Sequence, residues 1–76
     1  MWKAIITETA FLAATATFEV TFDVYNNGGN TLEAKGLTVK GSTQDEINQR
    51  IRERLELMKA AKNELNNIEI GTEITI

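Results

Sequence analysis

The chain has 76 residues, eight Lys and Arg against eleven Asp and Glu, a formal net charge of −3, and no histidine, cysteine or proline. Without cysteine there is no disulfide, thiolate metal site or thiol nucleophile, and without histidine the commonest general base and metal ligand are missing. The length makes one domain, 1–76, that buries only about 60% of its unfolded surface, so stability rests on tidy packing or on an oligomer.

The first residues, Met1-Trp2-Lys3-Ala4-Ile5-Ile6-Thr7-Glu8, reach a carboxylate too soon for a signal peptide. No apolar run approaches the length of a membrane span. The simplest reading is a cytoplasmic, unprocessed chain. Residues 2–9 read as a first strand, with Trp2, Ala4 and Ile6 on one face and Lys3, Ile5 and Thr7 on the other. Residues 10–13 (Ala-Phe-Leu-Ala) form the first connection. They are poor turn formers, and a single helical turn around Phe11 and Leu12 competes with an open loop.

Residues 14–25 alternate between apolar and polar side chains almost without a break. Ala14, Ala16, Phe18, Val20, Phe22 and Val24 share one parity, and Thr15, Thr17, Glu19, Thr21, Asp23 and Tyr25 the other. This is a strand with one buried and one wet face. Asn26-Asn27-Gly28-Gly29-Asn30 then supplies the residues that tolerate the positive φ of a tight hairpin.

The third strand, 31–40, switches parity at Gly36: Leu32 and Ala34 precede it, Leu37 and Val39 follow. One extra residue flips the facing of everything after it. A bulge near Gly36 is therefore expected to keep Leu32, Ala34, Leu37 and Val39 on the buried face, with Glu33, Lys35, Thr38 and Lys40 facing water.

Thr43-Gln44-Asp45-Glu46 is a capping box, with acidic residues at the positive end of a helix dipole. Ile47, Ile51, Leu55, Met58, Ala61 and Leu65 follow as one apolar stripe, giving a helix over 43–64 that Asn66-Asn67 ends. Glu46–Arg50 and Arg52–Glu56 are i,i+4 pairs on its outer face. Residues 68–76 alternate again, with Ile68, Ile70, Ile74 and Ile76 against Glu69, Gly71, Glu73 and Thr75, and read as a last strand. The order βββαβ predicts an α+β two-layer sandwich. An antiparallel three-stranded meander and a fourth strand, favoured beside the first, carry one long helix on one sheet face.

Chemistry-bearing groups are sparse. Glu19, Asp23, Glu33, Glu69 and Glu73 all fall on the open sheet face, where a solvated surface explains them better than acid–base work or a hard cation. Arg50, Arg52 and Arg54 suggest anion binding, but Glu46, Glu53 and Glu56 surround them. Ser42 is the only serine, and Lys40 alone makes a poor dyad with it. The chain is read as a non-enzyme without cofactor or metal, and its acidity argues against nucleic acid as partner. The better candidates are apolar residues that a one-sided core leaves uncovered: Trp2, Ile5, Phe11 and Leu12 form an expected partner-contact or self-association set. An open sheet edge is a second route to a partner.

The opening Lys3-Ala4-Ile5-Ile6-Thr7-Glu8, the long strand 17–24, the Asn/Gly hairpin, the 39–47 approach to a charged helix and the ending 68–74 together resemble small bacteriophage- and prophage-encoded proteins. The resemblance covers most of the chain, and its motifs are structural rather than catalytic. It implies a virion-associated or assembly role exercised by protein–protein contact. The rival expectation is a small acidic regulator or inhibitor that binds a host protein.

Overall fold

The computed structural model describes all residues, 1–76. Three strands and one long helix account for its regular structure: β1 (Lys3–Leu12), β2 (Thr17–Asn26), β3 (Thr31–Gly41) and α1 (Gln44–Leu65). The strands form an antiparallel sheet in the order β1-β2-β3, and the helix covers one face. The fold is α+β, as the patterning predicts.

The core is small. Val20, Phe22 and Val24 of β2, Val39 of β3 and Ile47 and Ile51 of α1 are its buried hydrophobic residues, with Trp2, Ala4, Phe18, Ala34, Leu37, Leu55 and Met58 packed around them. The β2 alternation therefore holds from Phe18 onward. Ala14 and Ala16 do not belong to it, because residues 13–15 form a single 3₁₀ turn and Ala16 closes that turn at φ 53°.

The first connection thus lies three residues later than its composition suggests. β1 continues through Phe11 and Leu12 because these pair with Phe18 and Thr17. The Thr15 hydroxyl lies 2.6 Å from that of Thr17 and donates to the Leu12 carbonyl (3.4 Å). These bonds tie down a turn whose alanines cannot. The second connection is the expected Asn/Gly hairpin. Asn27, Gly28 and Gly29 take positive φ, and the Asn26 side chain accepts from the Asn27 amide (2.7 Å).

The outer strands keep step with β2 only through extra residues. In β3, Phe22 faces Leu37 while Val24 faces Ala34, so one residue is inserted at Gly36, whose φ is +70°. The Asp23 carboxylate, opposite the insertion, accepts from the Gly36 amide (3.0 Å). This is the expected bulge. A second one follows at Glu33, between the pairs Val24–Ala34 and Tyr25–Leu32. It overturns two expected facings. Leu32 pairs with Tyr25 on the open face and is half exposed, whereas Glu33 turns toward the helix and binds the Lys62 ammonium. β1 carries its own insertion at Thr7, between Ile6–Phe22 and Glu8–Thr21. Trp2, Ala4 and Ile6 therefore share the helix side with Thr9 and Phe11, while Ile5, Glu8, Ala10 and Leu12 lie on the open side.

The helix begins as its sequence specifies. Thr43 Oγ1 accepts from the Glu46 amide (3.1 Å), and Glu46 reaches back to the amide and hydroxyl of Ser42 (3.4 and 3.2 Å). Glu46 pairs with Arg50 at 2.8 Å, but Arg52 and Glu56 form no ion pair. The apolar stripe is used unevenly: Ile47 and Ile51 are buried, Leu55 and Met58 half-buried, and Ala61 and Leu65 exposed.

The expected fourth strand is not formed. Residues 66–76 make no ladder; Asn67 and Ile68 donate back to Glu64 and Leu65, and Thr72 donates to Glu69 across a turn at Gly71. A strand has no hydrogen bonds of its own, so the alternating pattern has no structural consequence until an edge accepts it. With this segment off the body, the Cα radius of gyration is 16.1 Å and the longest extent 52 Å. A compact chain of this length has a radius of about 11 Å.

Two backbone positions give opposite, checkable outcomes. Gly36→Ala forces a Cβ into positive φ and is expected to lower stability by about 1 kcal/mol, although nothing within 4 Å would clash with it. Ala16→Gly relieves the same strain and is expected to raise stability by about 0.5–1 kcal/mol. Urea midpoints of the two variants against the parent read both signs.

Candidate interaction surface

The four apolar residues expected as partner contacts do not form one patch. Trp2 and Phe11 lie at opposite ends of the helix side of β1, about 30 Å apart at the rise of a strand. Trp2 is half-buried against the core, whereas Phe11 is 72% exposed. Ile5 and Leu12 are on the other face, at different heights. Ile5 stands opposite Asp23 and diagonal to Tyr25, and Leu12 sits beside the 3₁₀ turn.

The open face is otherwise polar. Glu19 and Lys40 are directly opposed and 3.8 Å apart, and Asp23 is occupied by the Gly36 bulge. Of the five carboxylates expected together there, only Glu19 and Asp23 belong to it. Glu33 has turned inward, and Glu69 and Glu73 lie beyond the sheet. Nowhere do three acidic side chains converge. No helix is long and apolar enough to cross a membrane.

The helix divides its own face of the sheet into two unlike flanks. On the β3 side, a shallow hollow is lined by Thr38, Lys40, Arg50, Glu53, Arg54 and Leu57. It brings Arg50 and Arg54 to Lys40, while Arg52 projects from the other flank. Two of these cations are already engaged, Lys40 by Glu19 and Arg50 by Glu46. On the β1 side, a hollow of about 230 Å³ is lined by Ala4, Ile6, Ile51 and Leu55, with Asn48 and Arg52 at its rim. Ile6 is 51% exposed beside it. This apolar groove follows from the Ala4–Ile6 alternation and the helix stripe together. Ile6 was not among the partner contacts expected from the sequence, which only grouped it on one face with Trp2 and Ala4. Its alternation with Ala4 was visible; the absence of cover over β1 was not.

Both outer strands also present a free backbone edge, since β1 and β3 each pair only with β2. Such rows of unpaired amides and carbonyls are templates for another chain.

Electrostatics at the helix start favour order over reactivity. The Ser42 amide holds the Glu46 carboxyl below the usual carboxylate range, helped by the Ser42 hydroxyl and by Arg50, against the opposing effect of partial desolvation. The Ser42 hydroxyl is thereby committed to the cap.

No protein-family model matches the chain, and comparison with curated proteins and with solved structures gives no match either.

Because its folded-state pKa is lowered, Glu46 contributes stability that is full above its unfolded value and is lost as pH falls through the folded value. Glu46→Gln is therefore expected to lower the melting temperature at pH 7. The gap to the parent should close as pH falls below about 4, the ordinary glutamate range. Thermal melts by circular dichroism across pH 2–7, taken as a roughly stepwise series, check the sign.

Proposed function

We infer that this chain is a small non-enzymatic interaction module that works by docking apolar surface and a sheet edge onto protein. We read it as a virion or assembly component, the role implied by the resemblance of its sequence motifs to phage- and prophage-encoded proteins. The observation that carries the reading is the mismatch between apolar content and core. Hydrophobic residues are 42% of the chain, yet six form the buried core, and Ile6, Phe11 and Leu32 stand more than half exposed on the sheet, with Ile5 at 46%. Monomeric surfaces tolerate scattered apolar residues, but three on the free edge strand β1, with Leu32 on the other edge, argue for an occupant. The residues 68–76 extend the argument, because they have the alternation of a strand and no sheet of their own.

The test combines Ile5→Ser, Phe11→Ser and Leu32→Ser in one chain. These side chains are exposed, so the fold should change by no more than about 0.5 kcal/mol per site. Molar mass by light scattering over a hundredfold concentration range is expected to show association in the parent and at least a roughly tenfold weakening in the variant. A monomeric parent that instead forms a stoichiometric complex with one host protein, through the same residues, would move the reading to the acidic regulator. Association or complex formation indifferent to all three substitutions would overturn the apolar-docking mechanism.

A further inference from the structure

A strand-patterned segment without a sheet and a sheet edge without a neighbour occur in the same chain. We propose that residues 68–76 of one copy add as a strand to the free edge of β1 in a second copy, reciprocally, closing a two-fold dimer. This rests on the interaction reading above and supplies its partner.

The donor is specified by side-chain parity. Ile68, Ile70, Ile74 and Ile76 all project to one side of an extended backbone, and each is strongly exposed, Ile70 and Ile76 wholly so. Glu69, Glu73 and Thr75 project to the other side. The turn at Gly71 must open for the segment to straighten, and glycine can leave positive φ without penalty.

The acceptor is specified by the two flanks of the helix. A strand beside β1 directs alternate side chains into the groove of Ala4, Ile6, Ile51 and Leu55. Its glutamates then face the open side, where β1 carries Lys3, which has no ion pair in its own chain, at one end and Glu8 further along. A strand beside β3 would place isoleucines against Lys40, Arg50, Glu53 and Arg54. Covering those charges costs desolvation with nothing to replace the lost water. β1 is therefore the edge that the segment fits.

The occupant is a second copy because the parts are self-complementary. Each chain offers one donor and one such acceptor, and reciprocal pairing consumes both and closes the assembly. Lys62 and Glu33 hold the late helix over β3, the strand farthest from the β1 edge, and the segment that follows makes no ladder with its own sheet. Size agrees as well. Nine donor residues and about as many acceptor residues per copy approach the roughly 20 a side typical of stable interfaces.

The absence of native cysteine makes the test direct. Chains carrying only Ile6→Cys are mixed with chains carrying only Ile70→Cys and treated with a short flexible bismaleimide. The expected result is a heterodimeric cross-link, a parent of twice the chain mass by light scattering, and loss of both when Ile74→Asp is added while the helical circular dichroism remains. A chain carrying both cysteines that links mainly within itself as a monomer would overturn the proposal in favour of closure onto its own sheet. A dimer that survives Ile70→Asp with Ile74→Asp would also overturn it, leaving the broader interaction reading intact through another surface. A parent monomeric at every concentration would overturn it outright.

Discussion

Phe22 and Val24 have no solvent exposure, and the other apolar contacts of the body are made around them. They sit mid-strand in β2, which is paired on both sides and roofed by Ile47 and Ile51. Burying side chains of this size is worth about 1.5–3 kcal/mol each, a large share of the stability available to so short a chain. The parity of β2 is therefore fixed, and its neighbours must adapt. All three register insertions, at Thr7, Glu33 and Gly36, lie in the outer strands and none in β2. Each insertion re-aims the residues beyond it, so the surface of the protein is in large part a consequence of where its edge strands were lengthened.

The effect is clearest in β3. Gly36 keeps Leu37, Val39 and Ala34 beneath the helix, but the Glu33 insertion immediately reverses the facing and sends Leu32 to the open side. What enters the layer instead is a carboxylate, and it is matched by Lys62 from the fourth turn after Ile47. The pair is part-buried, so its attraction is offset by the cost of desolvating both charges and its main effect is positional: it holds the late helix over β3. The two flanks of the helix then differ in character. The β3 side collects Lys40, Arg50 and Arg54, while the β1 side is left apolar and open.

That asymmetry gives the functional reading its form. Polar residues cover the exposed sheet face, and the capping network spends Ser42 and Glu46 on starting the helix. The unspent capacity of the molecule is apolar surface and unpaired backbone, concentrated along β1 and in residues 66–76. Contact with another chain is what would satisfy both. The four isoleucines of that segment gain in any arrangement that removes them from water, and an edge strand supplies the hydrogen bonds that an isolated extended segment lacks.

Local rules were enough wherever one residue type has one physical solution. The capping box, the Asn/Gly hairpin, the helix stripe and the Gly36 bulge were legible because a hydroxyl at an N-cap, positive φ in a turn and a parity switch at glycine each leave a mark in the sequence. Thr7 and Glu33 leave none, because their insertions are set by pairing with β2, and so the facings of Phe11 and Leu32 emerged only in three dimensions. The partner-contact set was half visible: its apolar character and the opposed facings of Trp2 and Ile5 could be read from the sequence, but which faces Phe11 and Leu12 take depends on the Thr7 insertion. The sequence alone determined that residues 68–76 would carry the apolar–polar alternation of a strand. Whether they join a sheet was left to tertiary structure, since a strand, unlike a helix, completes its hydrogen bonds only on something outside itself.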